Sequence, residues 1–106
     1  MHTDLFHSSL LLIIKDGKHD MTKHVYTNII HGVLRQSNIT ALQRGVYVTC
    51  TIDDRTSSTL LVLKLMQWRN GHLPMKLPVV EWNLSTGSAH DFRVMLQSYL
   101  KEHVII

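Results

Sequence analysis

The stretch Gly45–Trp68, GVYVTCTIDDRTSSTLLVLKLMQW, constrains the fold of this chain more than any other. Val46, Val48, Cys50 and Ile52 alternate with Tyr47, Thr49 and Thr51, the period of two that gives a strand one apolar face. A polar break from Asp53 to Ser58 interrupts the pattern, and a run of aliphatic and β-branched side chains follows. Two strands joined by a short polar loop form an antiparallel hairpin. In the second strand Leu61, Leu63 and Leu65 share the core face. Leu60, Val62, Lys64, Met66 and Trp68 share the other, and the lysine turns that face outward.

The rest of the chain supplies material to cover the apolar side. Residues Leu5 to Ile14 read as a strand closed by the Asp16-Gly17 turn signal. Asp20 stands where a helix N-cap belongs, and Met21, Val25, Ile29, Ile30, Val33 and Leu34 then recur at helical spacing over residues 21–36. Lys23, Thr27, His31 and Arg35 fall between them. Gly32 lowers the stability of such a helix by about 1 kcal/mol against alanine, so a close approach to a strand is expected there. Residues 37–45 are a connection.

After the hairpin, Asn70-Gly71 marks a turn, and Pro74 and Pro78 keep the segment between them irregular. A third strand spans Val79–Leu84, with Val80, Trp82 and Leu84 inward and Glu81 and Asn83 outward. Ser88-Ala89-His90-Asp91 is a capping-box pattern, and the helix it opens buries Phe92, Met95, Leu96, Tyr99 and Leu100. The predicted order is β-α-β-β-β-α: an α+β two-layer sandwich, a four-stranded antiparallel sheet with both helices on one face.

At 106 residues the chain has room for one core, so residues 1–106 form a single domain. Its 44% hydrophobic and 18% charged residues exclude a disordered polyelectrolyte. A net charge of +3 favours an acidic partner surface without demanding nucleic acid. The one cysteine, Cys50, reads as a buried hydrophobe in a reducing, intracellular setting. Leu10–Ile14 is too short to span a bilayer and lacks the flanks of a signal peptide. The sequons at Asn38 and Asn83 read as chance matches.

With these residues in place, the chain resembles a kinase-associated domain of the KA1 type. Within that group it is most like the C-terminal regulatory domains of the checkpoint effector serine/threonine kinases that halt division after DNA damage. The likeness covers nearly the whole chain as element order. It is clearest in Val48-Thr49, the Asp53-Asp54-Arg55 loop, Leu60–Leu65, and Val80–Gly87 leading to Asp91-Phe92-Arg93. The alternating last strand, the Ser85-Thr86-Gly87 turn and a helix opening with Phe92 carry it. The resemblance implies a regulatory domain that folds back on the kinase catalytic domain of the same polypeptide and restrains it. It also implies a nuclear and cytoplasmic location, sequence upstream of Met1, and no cofactor. Several such domains bind anionic phospholipids through a last strand rich in Lys and Arg. Here Glu81 and Asn83 stand at those outward positions, which argues against a phospholipid partner.

Candidate functional residues follow from the outward sheet face. Tyr47, Val62, Lys64, Met66 and Trp68 form an apolar patch around a cation, the composition of a protein-docking surface. Arg55, Arg69, Lys76 and Arg93 are the candidate anion-binding residues. A free-standing nucleic-acid-binding or viral accessory protein is the alternative, since α-β-β-β-α is the order of a double-stranded RNA-binding domain. That module needs a lysine cluster where this chain has Ser88-Ala89-His90-Asp91-Phe92-Arg93. Catalysis is not expected. Val62 stands where a nuclease core built on Asp53, Asp54 and Lys64 requires an acid. Asp16, His19, Asp20 and His24 straddle a helix start instead of sharing a face, so no metal site is expected.

Overall fold

A computed structural model describes residues 10–12, 18–55, 57–69 and 73–105. The expected strand residues Leu5–Ser9, Ile13 and Ile14, and the turns at Asp16-Gly17 and Asn70-Gly71, lie outside the described residues. The elements are β1 (Leu10–Leu12), α1 (Asp20–Gln36), α2 (Ala41–Arg44), β2 (Val46–Asp54), β3 (Thr59–Gln67), β4 (Met75–Lys76), β5 (Val80–Asn83) and α3 (Ala89–His103).

The hairpin forms as its alternation dictates. β2 and β3 pair antiparallel from Val46 opposite Gln67 to Asp54 opposite Thr59, and Arg55 and Ser58 exchange backbone hydrogen bonds across the loop. Val46, Val48, Cys50, Leu61, Leu63 and Leu65 point into the core, as expected. β5 pairs antiparallel with β3, placing Trp82 opposite Leu61 and Val80 opposite Leu63.

Two parts of the expected topology are corrected. β1 runs parallel to β2, with Leu10 opposite Val48. The helical crossover from β1 to β2 brings the chain back in the same direction, which only a parallel neighbour accommodates. The second correction lies between the prolines, where β4 pairs with the end of β3, Met66 opposite Lys76. Pro74 and Pro78 flank this two-residue strand without entering it, so neither removes a ladder donor. From Asp20 onward the chain is therefore helix, four antiparallel strands, helix, and not the β-α-β-β-β-α expected.

Both long helices pack against each other on the core side of the sheet. Phe92, fully buried at the start of α3, meets Tyr26 of α1 edge-on (centroids 4.9 Å apart, 70°) and Trp82 of β5 (5.6 Å, 67°). Burying such a ring contributes about 1.5–3 kcal/mol, and each edge-to-face pair about 0.5–1.5 kcal/mol more. The Ser88 hydroxyl accepts the Asp91 amide at 3.1 Å, so α3 starts where its capping pattern says.

α1 is rotated from the expected phase. Its buried stripe is Lys23, Tyr26, Ile29, Ile30, Val33 and Leu34, whereas Met21 is 82% exposed and Val25 is also exposed. Asp20 is not the N-cap. His19 occupies that position without a side-chain cap, and Asp20 lies in the first turn, where its charge suits the helix dipole. The helix ends in a Schellman motif: Asn38, at φ 53°, donates to the Arg35 carbonyl and Ile39 to that of Leu34, and Ile39 is buried.

Two buried groups tie loops to this frame. Gln67 is 2% exposed; its Nε2 donates to the carbonyls of Arg44 (3.0 Å) and Ile105 (2.7 Å), and its Oε1 accepts the Ile105 amide (3.0 Å). The Tyr99 hydroxyl donates to the Pro78 carbonyl at 2.6 Å, and burial pushes its pKa up to about 12.

Glycine has opposite meanings at two positions. Gly45 lies at φ 65° between α2 and β2, and a Cβ there would strike the Trp68 backbone. At Gly32 a Cβ would meet nothing within 4 Å, so the strand approach expected there does not occur. Thermal unfolding should separate them. Gly32→Ala is expected to stabilise by up to about 1 kcal/mol. Gly45→Ala should destabilise by at least about 1–2 kcal/mol, since alanine adds left-handed strain to the clash.

Candidate partner-binding face

The side of the sheet turned away from both helices is set by strand parity. Tyr47 and Thr49 of β2 stand opposite Met66 and Lys64 of β3, Thr51 opposite Val62, and Val62 in turn opposite Glu81 of β5. Lys76 of β4 stands opposite Met66. A depression of about 360 Å³ opens on this face, lined by Tyr47, Thr49, Lys64, Met66, Lys76 and Val79. Tyr47 is 46% and Val79 56% exposed, and Lys64 and Lys76 are exposed as well. Neither lysine meets a carboxylate among the described residues. The result is an apolar shelf between two cations.

The predicted docking residues do not contribute equally. Tyr47, Lys64 and Met66 meet at this depression. Val62, only 9% exposed, lies in the neighbouring hollow beside Thr51 and Glu81 and presents little surface of its own. Trp68 lies one residue beyond β3, where its amide donates to the Gly45 carbonyl at 2.7 Å and its ring is half-exposed. Its indole belongs to the sheet end more than to the centre of the face.

The candidate anion-binding residues are dispersed. Arg55, at the hairpin loop, donates from Nε to Asp53 and from a terminal nitrogen to Glu81, both at 3.1 Å. These bonds, that to Asp53 first, raise its pKa further, and being exposed they add little stability. Arg69 and Lys76 belong to the opposite end of β3. Arg93 lies in α3 beside a groove lined by Asn28, Gly32 and Gln36 of α1. These four residues therefore make no single anion site.

The other polar candidates are occupied locally. His19 Nε2 lies 2.9 Å from Asp54, which also accepts the Thr59 hydroxyl at 2.9 Å and has Lys18 at 3.6 Å. His24 lies within hydrogen-bond reach of Asn28, 3.4 Å away. His31 is held below its usual pKa by burial and by Arg35. Asp16 lies outside the described residues.

Lys23 departs most from its expected place: it is 4% exposed and near Cys50. Burial pushes the Cys50 thiol up to about 11, against the opposing pull of the Lys23 charge. No helix among the described residues is long and apolar enough to cross a membrane.

Compared with known proteins, the chain matches no protein family, no curated protein and no solved structure.

Two outcomes follow from these environments. Hydrogen bonds from His19 and then Thr59 hold the Asp54 carboxyl below its usual range. A depressed carboxyl stabilises the fold above its unfolded pKa of about 3.9 and loses that contribution as pH falls through its folded value. Wild type should thus be more stable than Asp54→Asn at pH 7, with the gap in Tm closing below about pH 4. A thiol with a pKa near 11 stays protonated at neutral pH. Cys50 should accordingly react with a disulfide reagent only after denaturant is added, as followed by release of the chromophore.

Proposed function

We propose that this chain is a non-catalytic interaction domain of the KA1 kind, part of a serine/threonine protein kinase, and that it restrains the catalytic domain by docking on it. The observation that carries this reading is the sheet face opposite the two helices. Its apolar shelf of Tyr47, Met66 and Val79 lies between Lys64 and Lys76, neither of which pairs with a carboxylate among the described residues. A partner matching this face presents apolar side chains rimmed by carboxylates, and the positive net charge of the domain favours the same encounter.

Restraint needs no chemistry from this chain. A contact made only in the closed state shifts the population toward it by the free energy of that contact. Each factor of ten requires about 1.4 kcal/mol. Within one polypeptide the effective concentration of the domain is on the order of 1 mM, so a contact of about 10 μM still holds most molecules closed. A face this small is sufficient for that. Carboxylates on the partner would set the docking register through Lys64 and Lys76, and the shelf would supply the apolar burial.

Two measurements test the proposal. The reading frame upstream of Met1 is expected to encode a kinase catalytic domain. Titrated in trans against that domain, the double variant Tyr47→Ala/Lys64→Glu should bind at least about tenfold more weakly than wild type. Its Tm should match wild type, because both side chains are exposed. Unchanged affinity would remove the docking face from the account.

A further inference from the structure

At the end of the sheet remote from the hairpin loop, α2, Tyr47 and the exit of β3 enclose a pocket of about 440 Å³. Gln67 forms part of its lining, and the Gln67 amide is already committed to Arg44 and Ile105, which fixes the position of both. Arg44 and Arg69 also line it. Neither meets a carboxylate among the described residues, whose ion pairs are made at Asp53, Asp54, Glu81 and Glu102. The Nε of Arg44 is buried with no hydrogen-bond partner among the described residues. A charged donor in that state is stabilised by an acceptor brought from outside the chain. Trp68 and Tyr47, 50% and 46% exposed, add aromatic surface beside the two cations.

We propose that this pocket binds a phosphate monoester carried on an aromatic body, as the phosphorylated tyrosine of a partner peptide. A phosphomonoester offers three acceptor oxygens and nearly two negative charges, enough for two planar guanidinium forks at once, where a carboxylate saturates one. The exposed aromatic rings suit the ring that bears the phosphate. A bilayer surface is the poorer occupant, because it rewards several basic residues in one plane and only two reach this hollow. The site is independent of the docking face apart from Tyr47, so the variants that test it leave Tyr47 and Lys64 intact.

The experiment is an NMR titration of the indole N–H signals with phenyl phosphate as the probe, alongside inorganic phosphate and vesicles containing phosphatidylinositol phosphates. The Trp68 signal should shift and saturate with phenyl phosphate while that of Trp82, packed against Phe92, stays in place. Inorganic phosphate should bind more weakly. Arg44→Gln and Arg69→Gln should each weaken phenyl phosphate binding by about tenfold or more. Arg93→Gln, in the groove between the long helices, should bind as wild type. Arg69 is exposed, so Arg69→Gln decides the matter should Arg44→Gln fold poorly. No saturation at millimolar probe, equal binding by the Arg69 variant, or binding to vesicles without binding to phenyl phosphate would each overturn the proposal.

Discussion

The register of β2 against β3 is the constraint on which the rest of the structure depends. With Val48 opposite Leu65 and Cys50 opposite Leu63, the side chains of Val46, Val48, Cys50, Leu61, Leu63 and Leu65 all enter the core. A slip of one residue would turn Lys64 and Thr49 inward and expose the leucines. The loop that closes the pair holds this register, since Arg55 and Ser58 bond across it and the Thr59 hydroxyl reaches back to Asp54. At the other end Trp68 donates to Gly45 and Gln67 grips Arg44 and Ile105, so the ladder is pinned at both limits. β1, β4 and β5 all take their positions from this pair.

Where the sequence carried a local physical signal, the structure was legible in it. Period-two alternation located the hairpin and its inner face, and Ser88 with Asp91 located the start of α3. The failures have equally local causes. Met21 and Val25 have the spacing of a buried stripe, yet α1 turns Lys23 inward, a choice made by tertiary contacts that helical periodicity does not encode. β4 is two residues long, too short to show alternation. The end of α1 was readable in principle: Asn38 before an apolar Ile39 is the pattern of a left-handed cap with its hydrophobic contact. Gln67 and Arg44 carried no signal at all, because a buried polar residue is recognisable only once its partners have been brought to it.

The residues from Trp82 to Phe92, on which the expected KA1 likeness rests, have structural duties of their own. Asn83 accepts the Ser85 amide on its side chain and the Gly87 amide on its carbonyl, closing the turn after β5. The indole of Trp82 lies so close to Gly87 that a side chain there would overlap the ring. The ring in turn abuts Phe92 at the start of α3. Turn, glycine and aromatic residue therefore follow from joining this strand to this helix. Residues of this kind serve the fold first; the role of the domain depends on the faces that they leave open.

Charge is distributed unevenly along the sheet, and this bears on both open surfaces. At the loop end the carboxylates of Asp53, Asp54 and Glu81 are matched by Arg55, Lys18 and His19. Toward the other end Lys76, Arg44 and Arg69 make no ion pair with a carboxylate among the described residues. A nine-residue strand spans roughly 30 Å, several times the screening length of about 8 Å at physiological salt. The paired end therefore cannot neutralise the cationic one through solvent, and the modest net charge of +3 understates the local field. An acidic partner would be drawn toward the end where the apolar shelf and the arginine pocket adjoin, with Tyr47 common to both. Attraction and burial then act at the same place, which is what a small interface needs if it is to be selective as well as weak.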